Sequence, residues 1–260
     1  MTRTHKAALI TGASSGIGAA FTRALPETTA LLLTGRNRDA LDAQRQALTT
    51  DHRRVECLDS DLATMEGIEA VVSAADDFGI DLLIANAGVG PFGPFLQAPE
   101  QALRDTIAVN VMATTLLVRR LLPGLLARAR VQGSPAGLIV VASSAAFVPV
   151  PNLAVYAASK AFDLSLTEAL AAELASEPID VLALCPTATR SRFAERSGYR
   201  GGVPGAQDPG HVAGAALAAL GRRRTLVLGA VSGPALSVVA VARAASAQAI
   251  SLVTRRLGGA

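Results

Sequence analysis

The sequence is poor in the residues that build metal sites and disulfide frameworks. Its 260 residues include two cysteines, three histidines and no tryptophan. Cys57 and Cys185 lie far apart without metal-ligand spacing, and the histidines are scattered, so we predict neither a disulfide-based fold nor a metal site. We interpret both cysteines as buried, reduced thiols and expect a cytoplasmic location.

Charged residues and long apolar runs are also scarce. Charged residues make up 17% of the chain and the formal net charge is +3, which gives no signal for nucleic-acid binding. Asp208 is the last acidic residue, and the six arginines after it give that segment a charge of +6 and the rest of the chain −3. No apolar run reaches the roughly 18 residues of a membrane span, and the first residues lack the apolar core of a secretory signal.

Short apolar segments, by contrast, recur along the chain. They alternate with helix-like segments and are apolar on both faces, which is typical of parallel strands covered by helices on each side. The predicted strands are Ala7–Thr11, Ala30–Thr34, Val55–Leu58, Leu82–Ala85, Leu138–Ala142, Val181–Leu184 and Thr225–Leu228. This alternation predicts a doubly wound, Rossmann-type α/β sheet of about seven parallel strands. No repeat or linker interrupts the series, so we predict one domain over residues 1–260.

A glycine-rich turn follows the first predicted strand and precedes a helix. Such a turn lets the backbone approach a pyrophosphate, and the helix N-terminus offers oriented N–H groups. Its spacing, Gly-x3-Gly-x-Gly, differs from the commoner Gly-x-Gly-x2-Gly. We assign to this turn the candidate cofactor-binding residues Gly12, Ser14, Ser15, Gly16, Ile17 and Gly18.

The second predicted strand is followed by a basic residue where many NAD sites have an acidic one. Arg36 stands there, with Arg38 close by. A guanidinium group suits a 2′-phosphate through charge-assisted hydrogen bonds, so we predict NADP(H) rather than NAD(H). The alternative is that Arg36 is a solvated loop residue. Asp61, after the third strand, is a candidate contact to the adenine.

Tyr156 and Lys160 place a phenol and an ammonium group one helical turn apart, on the same helix face. A phenol ionises only near pH ~10, and a nearby cation stabilises the phenolate. The pair is therefore a candidate general acid and base. An isolated match to this spacing is more often a surface helix, so its position relative to other motifs decides its meaning.

Together these pieces resemble the short-chain dehydrogenase/reductase family over roughly residues 5–230. Five motifs stand in the family's order: the glycine turn, Asn86-Ala87-Gly88 after the fourth strand, Asn110 on the following helix, Ser143 at the end of the fifth strand, and Tyr156 with Lys160. The run Ala142–Phe147 that leads to Tyr156 is similar to the DltE-like branch of NADP-dependent oxidoreductases.

The resemblance implies a catalytic tetrad of Asn110, Ser143, Tyr156 and Lys160. It implies that Tyr156 exchanges a proton with the substrate oxygen, that Ser143 hydrogen-bonds this oxygen, and that Lys160 holds the nicotinamide ribose. Asn110 would anchor a water that links Lys160 to solvent. The family's usual separation of 13 residues from the tyrosine selects Ser143, and the neighbouring Ser144 is the alternative.

The same resemblance implies further contacts to the cofactor. These candidate residues are Asn86, Ala87, Gly88, Tyr156, Lys160, Pro186 and Thr189. The family commonly has Pro-Gly after the sixth strand, whereas this chain has Pro186-Thr187. Thr189 is the residue that we expect to reach the nicotinamide carboxamide.

The implied function is hydride transfer between a nicotinamide and a carbonyl or alcohol, as in a ketone or aldehyde reductase acting on a CH–OH group. Two alternatives stay open. One is a catalytically idle NADP-binding regulatory or scaffold protein, and the other is a pathway-specific reductase of an imine or enone. Since family members are usually dimers or tetramers, we expect a homodimer or homotetramer.

Residues 187–210 form a long connection rich in glycine, proline and arginine, and we predict that it is a substrate lid. The candidate pocket walls are apolar, which favours an uncharged, hydrophobic carbonyl or alcohol substrate. These wall residues are Phe92, Phe95, Phe147, Val148, Val150 and Phe193. The lid also carries Arg190, Arg192, Arg196 and Arg200, for which an anionic substrate group, solvent and the cofactor phosphates remain alternatives.

Residues 235–257 read as a moderately amphipathic C-terminal helix with basic residues away from its apolar face. We expect it to pack against the domain or a neighbouring subunit. The alternative is an interfacial helix attracted to anionic lipid.

Overall fold

A computed structural model describes residues 4–199, 205–229, 236, 238–239, 241–243 and 245–246. Seven parallel strands form one sheet in the order β3-β2-β1-β4-β5-β6-β7. The strands are β1 (Ala7–Thr11), β2 (Ala30–Gly35), β3 (Val55–Asp59), β4 (Leu82–Ala85), β5 (Ala136–Val141), β6 (Ile179–Cys185) and β7 (Thr225–Val227). The predicted doubly wound α/β sheet is therefore confirmed.

Helices connect the strands and cover both faces of the sheet. They are α1 (Gly16–Ala24), α2 (Arg38–Leu48), α3 (Met65–Phe78), α4 (Glu100–Ile107), α5 (Thr114–Gln132), α6 (Ala154–Glu173), α7 (Phe193–Ser197) and α8 (Pro209–Ala219). A wide π turn, Ala108–Ala113, joins α4 to α5, and two 3₁₀ turns lie at Phe95–Gln97 and Ser144–Phe147.

The predicted strand positions are right: β1 and β4 have the predicted bounds, and the ends of the other strands differ by one or two residues. The largest difference, two residues, is at the start of β5, which begins at Ala136 rather than Leu138, and at the start of β6, which begins at Ile179 rather than Val181. Ala136 pairs with Ile179 of β6, so pairing with a neighbour extends the strand beyond its apolar run. Cys57 is half-buried rather than buried because it lies in β3, an edge strand.

The core consists of two apolar layers, one on each face of the sheet. Residues of α3, α5 and α6 pack on one face, as Val71, Leu117 and Ala171 do. Residues of α1, α2 and α8 pack on the other, as Phe21 and Leu41 do. All five residues of β1 are buried, which accounts for the continuous apolar runs of the sequence.

The chain reverses its winding direction between β1 and β4, which are neighbours in the sheet. β2 and β3 extend to one side of β1, whereas β5, β6 and β7 extend to the other side of β4. Such a switch point leaves a crevice outside the carboxyl ends of the strands, where ligands bind in open α/β sheets. The topology therefore points to the loops after β1 and β4.

In its described residues, 187–199 and 205–210, the predicted lid contains the short helix α7 and the start of α8. It ends where Asp208 caps α8 by accepting a hydrogen bond from the His211 N–H, 3.1 Å away, with Pro209 as the first helical residue. The described residues of the predicted C-terminal helix, 236, 238–239, 241–243 and 245–246, are helical. Arg200 and the rest of 235–257 lie outside the described residues.

Among the described residues, one helix is long and apolar enough to cross a membrane by length and composition alone, residues 100–132. It comprises α4, the π turn and α5. Leu117, Leu121 and Leu125 on this helix are buried in the core against the sheet. A buried core helix has the same composition, so its apolar character follows from its position in the fold.

Candidate active site

Hydrogen bonds between the loops after β1 and β4 form the floor of the crevice. The Thr11 hydroxyl accepts hydrogen bonds from the N–H groups of Asn86 and Ala87, at 3.0 and 2.9 Å. The Asn86 side chain donates in return to the Thr11 carbonyl oxygen at 2.8 Å. The Asn86-Ala87-Gly88 motif thus holds the switch point together rather than projecting side chains into the crevice.

The glycine turn leaves the start of α1 open to an anion. Gly12 has a φ of +66°, which favours glycine, and a Cβ at Gly18 would lie 2.6 Å from the Asn86 amide nitrogen. The first turn of α1 has no acidic residue, and Ser15 makes no side-chain capping hydrogen bond within the described part of the chain. The N–H groups of this turn are therefore suited to the pyrophosphate of a dinucleotide.

Arginine side chains gather beside this turn. Arg36 follows β2 and is exposed, and Ser14 lies close to Gly35 at the strand end. Burial and the neighbouring guanidinium groups of Arg192 and Arg36 lower the pKa of Arg196, and Glu195 acts in the opposite direction. The lid therefore brings Arg196 within electrostatic reach of Arg36.

Further contacts place the lid, residues 187–210, across the crevice. A Cβ at Gly16 would lie 2.7 Å from Ser191 Cβ, so the lid touches the glycine turn itself. Arg190 pairs with Asp208 at 2.8 Å, and Arg192 lies 3.8 Å from Glu195. Carboxylates of this chain thus already contact two of the lid arginines.

Tyr156 lies in the first turn of α6 between two loops. A Cβ at Gly90 would lie 2.8 Å from Tyr156 Cβ and 2.9 Å from its ring carbon Cδ2. On the other side, the Phe193 ring of α7 lies 4.9 Å from the Tyr156 ring, centroid to centroid. The ring is therefore positioned by the loop after β4 and covered by the lid.

Lys160 lies one turn further along α6 and is 3% exposed. Its ammonium group donates to the Val141 carbonyl oxygen at 2.8 Å and to Asp163 Oδ2 at 2.9 Å. The pKa of Lys160 is raised: burial acts to lower it, and the charge of Asp163, the Tyr156 phenol and the Asp163 hydrogen bond outweigh burial. Lys160 is thus a charged group in a dry environment directly behind Tyr156.

Asn110 is fully buried in the π turn. Its amide group donates to the Val89 carbonyl oxygen at 2.9 Å and to Ser159 Oγ at 2.8 Å, and its oxygen accepts the Val89 N–H at 2.9 Å. A Cβ at Gly88 would lie within 3.5 Å of both Asn110 Oδ1 and Lys160 Nζ. The wide turn therefore aims Asn110 at the same spot as Lys160; π turns are frequent at functional sites.

The two candidate serines follow β5. Ser143 lies beyond the strand end, not on it, because β5 ends at Val141. Its hydroxyl caps the next 3₁₀ turn by accepting the Ala145 N–H at 3.1 Å, whereas the Ser144 backbone N–H donates to the Pro186 carbonyl oxygen at 2.9 Å. Both serines are half-buried, so the choice of Ser143 over Ser144 stays a prediction.

The remaining candidates lie around the rim of the crevice. Thr189 donates to the Thr187 carbonyl oxygen at 2.9 Å, and Pro186 is buried. Asp61 is exposed and accepts the Ala63 N–H at 3.0 Å. Ile17 packs partly against the core. Their contacts to a cofactor stay predictions.

The predicted pocket walls do not form one surface. Phe193 contacts Tyr156, and Phe92 packs edge-on against Tyr199 at 4.8 Å between ring centroids. Phe147 packs against the core next to Leu164. The other three are Phe95 and Val148, which are more than half exposed, and Val150, which is half-buried.

Two residues at the site were not predicted from the sequence. Gly90 is in contact distance of Tyr156, and Asp163 is paired with Lys160. The available signal for Asp163 was a carboxylate three residues after Lys160 within an otherwise apolar stretch of helix. Gly90 had no such signal because its contact depends on how the loop after β4 crosses α6.

Comparison with known proteins identifies the kind of protein that carries such a site. A family model described as short chain dehydrogenase matches residues 6–199. The 1-deoxy-11-beta-hydroxypentalenate dehydrogenase of Streptomyces exfoliatus is 38% identical over 186 residues, which is 70% of this chain and 66% of that protein.

Two solved structures are also similar. A short-chain dehydrogenase from Sphingobium yanoikuyae in complex with NADPH is 32% identical, with a TM-score of 0.78 over 91% of this chain and 93% of that one. A short-chain dehydrogenase/reductase from Burkholderia phymatum in complex with NAD is 25% identical, with a TM-score of 0.77 over 92% and 93%. The chain belongs to the short-chain dehydrogenase/reductase family of oxidoreductases.

Proposed function

We propose that this protein is an NADP(H)-dependent reductase of ketones or aldehydes that also runs in reverse on the corresponding alcohols. The observation that carries the proposal is the buried, charged Lys160 behind the Tyr156 phenol at the edge of the crevice. This arrangement provides a proton donor for an oxygen that gains negative charge. The DltE-like branch assignment is part of the same proposal.

The residues present fit a nicotinamide dinucleotide, which supplies the hydride when bound. The open N-terminus of α1 would hold the pyrophosphate, and Lys160 would hold the ribose hydroxyls through its remaining N–H. Tyr156 gives its proton to the substrate oxygen during reduction and takes it back during oxidation. Ser143 donates a hydrogen bond to the same oxygen and orients the substrate.

The preference for NADP(H) is proposed from the charges beside the glycine turn. Arg36 is exposed at the end of β2, where a 2′-phosphate would lie, and Arg196 of the lid is within its electrostatic reach. Two guanidinium groups within electrostatic reach of each other favour the binding of an anion near them. Of the similar solved structures, one holds NADPH and another holds NAD.

An uncharged, apolar substrate is proposed from the side chains around Tyr156. The Phe193 ring covers the Tyr156 ring. Phe92, in the loop after β4, forms a second aromatic pair with Tyr199 of the lid, and the Phe92 N–H donates to the Ser197 carbonyl oxygen at 2.8 Å. Aromatic walls with few polar groups suit a hydrophobic ketone or aldehyde.

The test is NADPH oxidation in the presence of a panel of carbonyl compounds that range from small aldehydes to bulky aryl ketones, with NADH as the control cofactor. We expect turnover with NADPH and apolar ketones or aldehydes. The Tyr156→Phe variant should lose turnover by roughly 10²–10⁴-fold while it binds NADPH within about threefold of wild type.

The same panel distinguishes the alternatives. NADPH binding without turnover of any compound would indicate an idle binding protein, and turnover confined to added enones or imines would indicate the other reductase class. Substantial activity in Tyr156→Phe would contradict the assignment of Tyr156 as the proton donor.

We also propose that the protein is a homodimer or homotetramer. An open apolar depression of about 370 Å³ is lined by Ile107, Val111, Ala154, Val155, Ala158 and Ser159. Ile107 in this lining and Met112, the residue after Val111, are each about half exposed. Burial of such a patch by a second copy would remove it from water, and size-exclusion chromatography with light scattering would report the assembly.

A further inference from the structure

Asp163 forms the closest charged contact of the proposed catalytic lysine. It lies on α6 three residues after Lys160, and its Oδ2 is 2.9 Å from Lys160 Nζ. Its side chain is 1% exposed, as buried as that of Lys160, which is 4% exposed. The inference below rests on the proposed function, because it assumes that Lys160 acts on Tyr156.

A buried ion pair such as Lys160–Asp163 is not expected to add much to the free energy of unfolding. Burial of two charges costs several kcal/mol per ion, and replacement of a buried pair by apolar residues is often neutral or stabilising. Asp163 Oδ1 has no hydrogen-bond partner among the described residues, so the carboxylate is only partly satisfied. The role of the Asp163 carboxylate therefore lies in its effect on the Lys160 charge.

The charged and titratable groups around the Lys160–Asp163 pair come from α6, from the end of β6 and, through Arg243, from the C-terminal segment. Tyr156 lies on the same helix, and the Cys185 thiol faces the pair from the end of β6. Burial raises the pKa of that thiol to about 12, so it stays neutral. Glu168 acts on Cys185 and is itself paired with Arg243 at 2.9 Å. Asp163 is thus the negative charge in direct contact with Lys160.

The Asp163 carboxylate and the Lys160 ammonium each affect the protonation of the other. Burial raises the pKa of the Asp163 carboxyl, and the Lys160 ammonium acts against this. Without the carboxylate, burial would favour loss of the Lys160 proton, since low dielectric disfavours an isolated ammonium. The hydrogen bonds to Asp163 and to the Val141 carbonyl oxygen also fix the direction of the ammonium group.

We infer that Asp163 is a positioning residue of the active site, which holds the Lys160 ammonium charged and in place behind Tyr156. Asp163 neither reaches the substrate nor exchanges a proton with it. A second consequence follows from its charge: because the Asp163 carboxylate stabilises the ammonium, Lys160 retains its proton to higher pH than it would without Asp163.

The sequence makes a direct test possible because Lys6 and Lys160 are the two lysines of the chain. In a Lys6→Arg background, ¹³C-lysine labelling reports the protonation of Lys160 alone by NMR, with no cofactor present. We expect Asp163→Asn to lower the pH midpoint of the Lys160 signal by about one unit or more, the usual effect of an adjacent opposite charge. A midpoint within about 0.3 units of the background protein would overturn the inference.

Matched variants separate charge from structure. Asp81 is also a buried carboxylate, but it accepts hydrogen bonds from the N–H groups of Lys6 and Ala7 at the amino ends of β1 and β4, away from the crevice. Asp81→Asn should therefore lower stability and leave the Lys160 midpoint unchanged. Asp163→Glu keeps the negative charge, so its Lys160 midpoint should stay close to that of the Lys6→Arg background protein. If Asp163→Asn does not fold, Asp163→Leu fills the space with apolar atoms and carries the same expectation.

The pH dependence of turnover provides the second readout. The alkaline limb of carbonyl reduction reports loss of a proton that the active site needs, and Lys160 is the active-site group in contact with Asp163. Removal of the Asp163 charge makes loss of the Lys160 proton easier, so Asp163→Asn should move the limb to lower pH. An unmoved or raised limb, with Tm changed, would reduce Asp163 to a structural residue. If no carbonyl compound is reduced, the proposed function fails while the NMR midpoint still decides the role of Asp163.

Discussion

The position of the Tyr156 ring depends on a glycine, and this gives a sharp prediction. Gly90 is buried in the loop after β4, and its Cα faces the Tyr156 side chain. A Cβ there would lie 2.8 Å from Tyr156 Cβ and 2.9 Å from ring carbon Cδ2. Gly90→Ala therefore adds one methyl group against the proposed proton donor.

The magnitude follows from the overlap. Carbon atoms pack at about 3.5–4.0 Å, so the added methyl group must push the ring or the loop by roughly 1 Å. Overpacking of this size costs about 1–3 kcal/mol of stability. A misplacement of about 1 Å at a reacting group can cost about 10²-fold in rate. We expect kcat to fall by about 10²-fold, because the phenol no longer points at the substrate oxygen.

Steady-state kinetics of NADPH-dependent reduction measure kcat, and fluorescence titration measures NADPH binding, which should stay within about threefold. Gly214→Ala is the matched control, since a Cβ at Gly214 on α8 meets no atom within 4 Å among the described residues. That variant should keep full activity and gain up to about 1 kcal/mol from helix propensity. A Gly90→Ala enzyme with kcat within threefold of wild type would show that the ring position does not limit turnover.

Three further substitutions test other parts of the site and fold. Arg36→Ala should raise the KM for NADPH roughly tenfold or more and leave that for NADH unchanged, since a hydrogen bond to a charged group contributes about 1.5–3 kcal/mol; an unchanged NADPH-to-NADH ratio would remove Arg36 from the phosphate site. Asn110→Ala should lower the free energy of unfolding in urea by about 1–3 kcal/mol and reduce kcat, because it leaves the Val89 backbone and Ser159 without their partner; unchanged values of both would contradict its role. Arg53→Met should lower the free energy of unfolding by about 1–3 kcal/mol and leave kcat unchanged, because the buried Arg53 donates to three carbonyl oxygens on the side of the sheet opposite the crevice. An altered kcat would show that this region is coupled to the site.

The fold could be predicted well because its signal is local. The inner strands are buried on both faces along most of their length, so an apolar run such as Leu31–Leu33 marks such a strand without knowledge of its partners. Helix starts were readable where a side chain caps its own helix, as Asp208 does. Strand ends were less certain because pairing with a neighbour decides them, as for Ala136 beside Ile179.

Parts of the site were also fixed by spacing along one element. Tyr156 and Lys160 share a face of α6 because helix geometry places residues four apart on one side. The glycine turn could be recognised because it joins one strand directly to one helix. The wide turn at Asn110 has no comparable signal, since a π turn depends on how α4 and α5 pack against α6.

The sequence by itself thus determined the order of strands and helices, the glycine turn, and the identity of the proposed proton donor and its lysine. The tertiary structure alone decided which residues surround that pair. Asp163 is close to Lys160 through helix spacing, and burial of both side chains made the pair a dry ion pair. Gly90 and Phe193 meet Tyr156 from the loop after β4 and from α7, 66 and 37 residues away in sequence. Contacts between distant segments depend on packing, and no local pattern encodes them.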